Sequence, residues 1–360
     1  LKKDTKTVAK RVTGAEAVIL SLIEHGVDTI FGYPGGAIMP IYDALFHYQD
    51  QVNHILTRHE QGATHAAEGY ARVKNTAGVC FATSGPGATN LITGLADALM
   101  DSSPMVCITG QVPKNLLGTD AFQETDVVGI TAPITKWNYQ ITDANEIPEV
   151  IAKAFHIANT GKPGPVVVDI TKNAQFDELD YIPTKVNRID SYTPKRNPEP
   201  TNLKAAADLI NNAKKPLLLM GHGVLISKAE QELKAFAEKT GMPVATTLQG
   251  LGGLDPAHKQ YTGMLGMHGN YAPNVKTNES DVIVAIGMRF DDRVTGNTER
   301  YAKQAKIIHI EIDPAEINKV VPAEIAICAD AKEALNALIP LVEEKSHEAW
   351  LNEFVELAKI

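Results

Sequence analysis

Glu60 is the residue of this chain whose setting best suits acid–base chemistry. It stands in His59-Glu60-Gln61-Gly62-Ala63-Thr64-His65-Ala66, after an apolar run, Val52 to Thr57, that reads as a strand. A segment from Ala66 to Val73 follows that reads as a helix. In a parallel α/β layer, the carboxyl end of a strand is where ligands bind. Gly62, Ala63, Ala66 and Ala67 would let a flat ring come close to the backbone. Taken alone, a glutamate at a helix start serves the helix dipole. The small residues around it give Glu60 a second reading.

Two glycine-rich turns accompany it. Gly32-Tyr33-Pro34-Gly35-Gly36-Ala37 follows a strand. A strand-to-helix turn accounts comfortably for one of its glycines and less well for three, so close approach to a ligand is the added reason. Ser84-Gly85-Pro86-Gly87-Ala88-Thr89-Asn90 opens a helix, where anions bind. It lacks the Lys-Ser/Thr of a P-loop and the spacing of a dinucleotide fingerprint, and a tight turn explains its glycines. Gly118-Thr119-Asp120-Ala121-Phe122-Gln123-Glu124 is a polar loop that says little by itself. Lys172, after the strand ending at Ile170, reads equally well as an exposed structural lysine.

The second half carries a different set. Gly221-His222-Gly223 follows a buried strand, as a close-approach turn for a nucleotide would, but Gly-x-Gly alone is weak. His222 also reads as a plain turn residue. Leu265-Gly266-Met267-His268-Gly269 and Arg289-Phe290-Asp291-Asp292-Arg293-Val294-Thr295-Gly296 are more specific. In the latter, paired arginines could grip a diphosphate bidentately, although alternating charges also form surface ion pairs. Glu311 ends a strand where an acid can meet a ribose hydroxyl, and Asp330-Ala331 repeats that placement.

Positioning these groups takes two α/β layers. Strand and helix signals alternate from the capping box Thr13-Gly14-Ala15-Glu16 to the buried run Pro165–Ile170. Between lie strands at 29–31, 77–83 and 104–109 and helices at 88–100 and 149–160. A proline-rich stretch around 182–201 reads as a surface linker. Beyond it come helices at 203–212, 228–240, 331–342 and 349–360, with strands at 216–220, 244–247, 282–286 and 307–312. The expected fold class is α/β, two doubly wound parallel-sheet domains. At 360 residues the chain has length for two domains. A net charge of -9 without a basic stripe argues against a nucleic-acid partner. No run approaches the roughly 20 apolar residues of a membrane span. The opening Leu1-Lys2-Lys3-Asp4-Thr5 lacks the apolar stretch of a secretory signal. Cys80, Cys107 and Cys328 have no metal-ligand spacing and read as reduced thiols, which fits a cytoplasmic protein.

The three strings around Tyr33, Glu60 and Pro86 resemble the pyrimidine-binding domain of thiamine-diphosphate enzymes, and among these the large subunits of the acetohydroxyacid (acetolactate) synthase family. The resemblance runs from about Val8 onward and implies residues 1–180 as the pyrimidine domain, 181–201 as linker and 202–345 as an FAD-binding central domain. Residues 346–360 would begin the connection to a third domain, which in the family holds diphosphate and Mg2+ through a Gly-Asp-Gly motif not found in this sequence. The resemblance assigns no metal ligand to this chain. It implies that Glu60 hydrogen-bonds the N1′ atom of the aminopyrimidine, in a pocket that favours the neutral carboxyl, and so activates thiamine diphosphate by acid–base relay.

By the same resemblance Tyr33, Pro86 and Asn90 lie by the cofactor, and Gly36 and Ala37 by the substrate channel. Phe122, Gln123 and Lys172 stand on the substrate side, Gln123 hydrogen-bonding a keto-acid oxygen. For FAD the implied contacts are Lys162, Gly221, His222, Gly223, Thr247 and Leu248. They continue through Leu265, Gly266, Met267, His268, Gly287 and Arg289, then Asp291, Arg293 and Val294, and finally Glu311, Ile312, Asp330 and Ala331. Lys162 stands where the family has Arg, a change that is not conservative at a bidentate site.

The implied reaction is decarboxylation of pyruvate and condensation with a second 2-keto acid, pyruvate or 2-ketobutyrate, in branched-chain amino-acid biosynthesis. FAD takes no net redox part. Active sites shared between subunits imply a homodimer or homotetramer, with a regulatory small subunit as a further partner, and imply that this chain alone is inactive. Pyruvate oxidase, glyoxylate carboligase, the flavin-free catabolic acetolactate synthase and a non-catalytic nucleotide-binding module are the alternatives.

Overall fold

The computed structural model describes residues 9–194 and 197–359. Readings made for residues 1–8, for Lys195-Arg196 within the linker and for the helix end at Ile360 fall outside them. The chain divides into two compact units, Leu1–Thr193 and Pro194–Ile360.

In the first unit the strands are β1 (Lys10–Thr13), β2 (Thr29–Gly32), β3 (Asn53–Leu56), β4 (Gly78–Ala82), β5 (Met105–Gln111), β6 (Trp137–Ile141), β7 (Pro165–Thr171) and β8 (Glu178–Tyr181). Six of them form a parallel sheet in the order β3-β2-β4-β5-β7-β6. The central strands β4, β5 and β7 are buried throughout, which is why they read as unbroken apolar runs. Alternate residues serve opposite faces. Val79 and Phe81 join the core beneath the helices Gly14–Glu24 and Ile147–Asn159, while Cys80 and Ala82 join the core beneath Glu60–Lys74 and Ile92–Asp101. β1 and β8 form a separate antiparallel pair with Lys10 opposite Tyr181 and Thr13 opposite Glu178.

Sequence patterning missed β1, β6 and β8. In β6 the residues Trp137, Asn138, Tyr139 and Gln140 are all half-buried, and the mixture of rings and amides has no clear period. The helix expected from Ala66 begins at Glu60, because His59 is extended and its side chain caps the Gln61 amide. The helix expected over 88–100 is split into Pro86–Thr89 and Ile92–Asp101, with Asn90 at the joint.

The second unit contains β9 (Pro216–Met220), β10 (Val244–Thr246), β11 (Tyr261–Met264), β12 (Val282–Ile286), β13 (Lys306–Glu311) and β14 (Ile325–Cys328). They lie parallel in the order β11-β10-β9-β12-β13-β14, the doubly wound arrangement of dinucleotide-binding sheets. The helix Glu348–Leu357 packs against this unit. Trp350 and Phe354 are buried with Leu217 and Leu219, and Trp350 Nε1 donates to the Pro216 carbonyl at 2.8 Å. No helix of the described residues is long and apolar enough to cross a membrane.

Candidate functional site

In the first sheet the chain runs from β2 outward to β3, then crosses back to β4 on the other side of β2. The carboxyl ends of β2 and β4 therefore flank a switch point, where such sheets bind ligands. Three loops meet there. After β2, the Ala37 amide donates to Thr83 Oγ1, 3.1 Å away, which ties that turn to the end of β4. A Cβ on Gly35 would stand 2.5 Å from the Thr83 side chain, so the glycine is a requirement of this contact. After β3, the Thr57 amide donates to the Gly32 carbonyl at 3.0 Å, and the chain enters the helix that Glu60 opens.

Glu60 is buried at 7% exposure, at the helix N-terminus. Its Oε2 accepts from Asn90 Nδ2 at 2.9 Å, and its Oε1 faces Gly87, where a Cβ would stand 3.4 Å away. One carboxyl oxygen is thus held by an amide while the other looks onto a position without a side chain. Around it Tyr33, Pro86 and Gly36 are exposed, and nothing lies within 4 Å of a Cβ built on Gly36. The edge has an acid–base group, a fixed amide partner and an open floor.

The loop after β5 reaches the same turn. Gly85, at φ +57, packs on Gln123, itself at φ +59, and a Cβ on Gly85 would stand 2.7 Å from the Gln123 carbonyl oxygen. Gln123 is half-buried, whereas Phe122 is 88% exposed. Lys172 opens the short helix Lys172–Phe176 at the carboxyl end of β7, on the same edge of the sheet. Lys162 precedes β7 and lies at the opposite edge.

In the second unit the switch point falls between β9 and β12. The Gly221 amide donates to the Ile286 carbonyl at 2.9 Å and the Gly223 amide to the Gly287 carbonyl at 2.8 Å. A Cβ on Gly223 would stand 2.6 Å from the Gly287 Cα, which fixes both glycines by steric need. Thr247 and Leu248 follow β10, and Leu265 to His268 follow β11. Asn274 clamps Gly266 on both its amide and its carbonyl at 2.8 Å. The Met267 amide donates to the Arg293 carbonyl at 2.7 Å, so these two strings are neighbours.

Several acids there have structural partners. Asp291 caps its helix through the Arg293 and Val294 amides, and it lies 3.6 Å from Arg289. Asp330 caps the helix Ala331–Leu338. Glu311 accepts from the Ile312 and Asp313 amides at 2.9 and 3.2 Å.

Two buried groups escaped sequence reading. His309, fully buried, holds the Met288 carbonyl at 2.8 Å, and burial lowers its pKa. Asp169, also fully buried, accepts from Thr109, Gln111 and Gln140, and burial pushes its pKa up to about 6. A charged residue inside a run of valines was the signal available for the second. Among the described residues, His65, Glu68 and Asp97 alone have metal-holding proximity, but Arg72 occupies Glu68 at 2.7 Å and opposes a cation.

Comparison with known proteins agrees with this two-unit arrangement. The family described as thiamine pyrophosphate enzyme, N-terminal TPP binding domain, matches residues 12–130, and that described as thiamine pyrophosphate enzyme, central domain, matches 203–338. The chain is 51% identical over 352 residues to an acetolactate synthase large subunit of Corynebacterium glutamicum, covering 97% of this chain and 56% of that protein. It is 52% identical over 354 residues to a probable acetolactate synthase large subunit of Methanocaldococcus jannaschii, covering 96% and 59%. An acetolactate synthase of Mycobacterium bovis is 50% identical over 333 residues, covering 92% and 54%. The chain therefore spans a little over half the length of the relatives it matches. With two family domains in sequence and half of all aligned residues shared, the chain belongs to the acetolactate synthase large-subunit family of thiamine pyrophosphate enzymes.

Proposed function

We propose that this chain supplies the pyrimidine-binding and flavin-binding parts of an acetolactate synthase, joining two 2-keto acids with loss of carbon dioxide. The observation that carries the reading is Glu60: buried, held by Asn90 through one oxygen and facing Gly87 with the other. When bound, thiamine diphosphate supplies the electron sink for decarboxylation and the nucleophilic carbon for the new bond. The residues present fit its pyrimidine end, because Gly36 leaves open space at this edge and Glu60 offers a second carboxyl oxygen beside the one that Asn90 holds. Glu60 holds and moves the proton at the ring nitrogen, and Asn90 keeps the carboxyl in one rotamer. Tyr33, Pro86, Gly36 and Ala37 shape the floor, while Phe122, Gln123 and Lys172 stand on the side from which pyruvate or 2-ketobutyrate arrives.

The β9–β12 crevice fits FAD through Arg289 and Arg293, which suit a diphosphate, beside a glycine turn whose own amides are engaged by the Ile286, Gly287 and Ile310 carbonyls. Mg2+ and the diphosphate of the thiamine cofactor are held by the part of the relatives' length that this chain does not span. Assembly as a homodimer or homotetramer, a regulatory small subunit and a cytoplasmic location belong to the same reading.

Joining the chain to the diphosphate-binding domain of a relative and assaying acetolactate from pyruvate tests it. The joined protein turns over, the unjoined chain does not, and Glu60→Gln lowers kcat by about a hundredfold or more, the range of a lost acid–base group. Near-normal turnover by Glu60→Gln would overturn the role given to that carboxyl.

A further inference from the structure

The loop bearing Phe122 and Gln123 is held from beneath by a buried polar chain. Asp169 lies in the middle of β7, fully buried among Val167, Val168 and Ile170. Its Oδ1 accepts from Thr109 Oγ1 at 2.6 Å, and its Oδ2 from Gln111 Nε2 at 3.0 Å and Gln140 Nε2 at 2.8 Å. Three neutral donors offset part of the desolvation cost, where an apolar side chain would incur none. One of those donors has a second task. Gln111 Nε2 also donates to the Thr125 carbonyl at 2.9 Å, and Gln111 Oε1 accepts from the Val112 amide at 2.9 Å. Gln111 is fully buried and has all its polar atoms engaged, so its rotamer is set by Asp169 on one side and fixes Thr125 on the other.

The loop above is strained and self-closed. Gly118, Asp120 and Gln123 have φ of +77, +58 and +59, and the Glu124 carboxylate binds the Gly118 and Ala121 amides at 2.5 and 2.9 Å. Such a loop keeps its shape only where its surroundings over-determine it. At either side of Glu124 it is attached outward by the packing of Gln123 on Gly85 and the Gln111 bond to Thr125, and nearer its start by the Lys114 amide, which donates to Asn173 Oδ1 at 2.9 Å.

We infer that Asp169 and Gln111 are positioning residues: Asp169 orients Gln111, and Gln111 anchors Thr125 so that Gln123 stays against the Gly85 turn beside Glu60. This rests on the proposed substrate-side role of Phe122 and Gln123 for its functional meaning, while the mechanical claim stands on the contacts alone.

Hydrogen exchange by mass spectrometry on the chain tests the mechanical claim. Gln111→Met, close in shape but without the amide, speeds exchange in residues 112–127 about tenfold, the effect of one lost buried hydrogen bond on local opening. Protection in β5 and β7 stays as it was. Thr109→Val, which removes a donor to Asp169 without touching Gln111, leaves the loop unchanged. Should Gln111→Met not fold, Asp169→Asn takes its place and loosens the same segment. Unchanged loop exchange in the folded variant, or a rise shared equally by β5 and β7, overturns the inference, because the network would then only fill the sheet. In the chain joined to a diphosphate-binding domain, Gln111→Met lowers kcat/KM for pyruvate with thiamine-diphosphate affinity unchanged. Equal loss of both overturns it. The unsubstituted joined chain tests the functional reading separately, through its own turnover.

Discussion

Glu60 and Asp169 are carboxyl groups of the first unit with opposite surroundings. Glu60 has a single side-chain donor, on one of its two oxygens, whereas Asp169 is held by three donors across both. The first setting suits a group that must meet a ligand, the second a group that must stay put. The setting of Asp169 has a consequence for pH. Burial raises the Asp169 pKa from 3.8 to about 6, so the folded state holds that proton more tightly than the unfolded chain. The contribution to stability is fully present below pH 3.8 and is lost as pH rises to about 6, a change on the order of 2–3 kcal/mol. Urea midpoints measured from pH 4 to pH 7 should therefore show a falling component that Asp169→Asn removes; equal slopes in the two proteins would refute this. Glu60 was legible from the strings around it. Asp169 was not, because its donors come from β5 and β6, distant in sequence and brought alongside only by strand order.

Among elements, the glycine turns after β9 and β12 show how a backbone contact sets residue identity. Gly287 has φ +58, and a Cβ there would stand 2.6 Å from the Gly223 Cα. Gly287→Ala is expected to cost about 2–4 kcal/mol, combining left-handed strain with a clash that backbone cannot relieve cheaply. A lowered thermal midpoint together with weaker FAD binding would agree with this, and unchanged flavin affinity would remove Gly287 from the site. The buried strands were plain in the sequence because both faces of each are covered. Three others were not: β11 is a four-residue Tyr-Thr-Gly-Met segment, and β1 and β8 carry charged residues on their open sides. Asn90 shows the limit of periodicity, since the pattern of one helix conceals a joint at the residue that binds Glu60.

For the whole molecule, alternating strand and helix signals were enough to give two doubly wound sheets, and a proline-rich stretch contains the division at Thr193 and Pro194. Each unit carries its own switch point, so each set of ligand contacts should be separable by substitution. Titrating the chain with FAD, Glu60→Gln is expected to bind as the unsubstituted protein does, and Gly223→Val to lose saturable binding. Loss in both would contradict separate sites. The antiparallel pairing of β1 with β8 adds something of another kind. Residues 10–13 and 178–181 run side by side, and the Gly14 amide donates to the Asp177 carbonyl at 2.8 Å. The polypeptide thus enters and leaves the first sheet at one place, like a cassette with both connectors on the same side. A gene segment encoding such a body can be duplicated, excised or spliced between other segments without threading the chain through a core, because both junctions lie together.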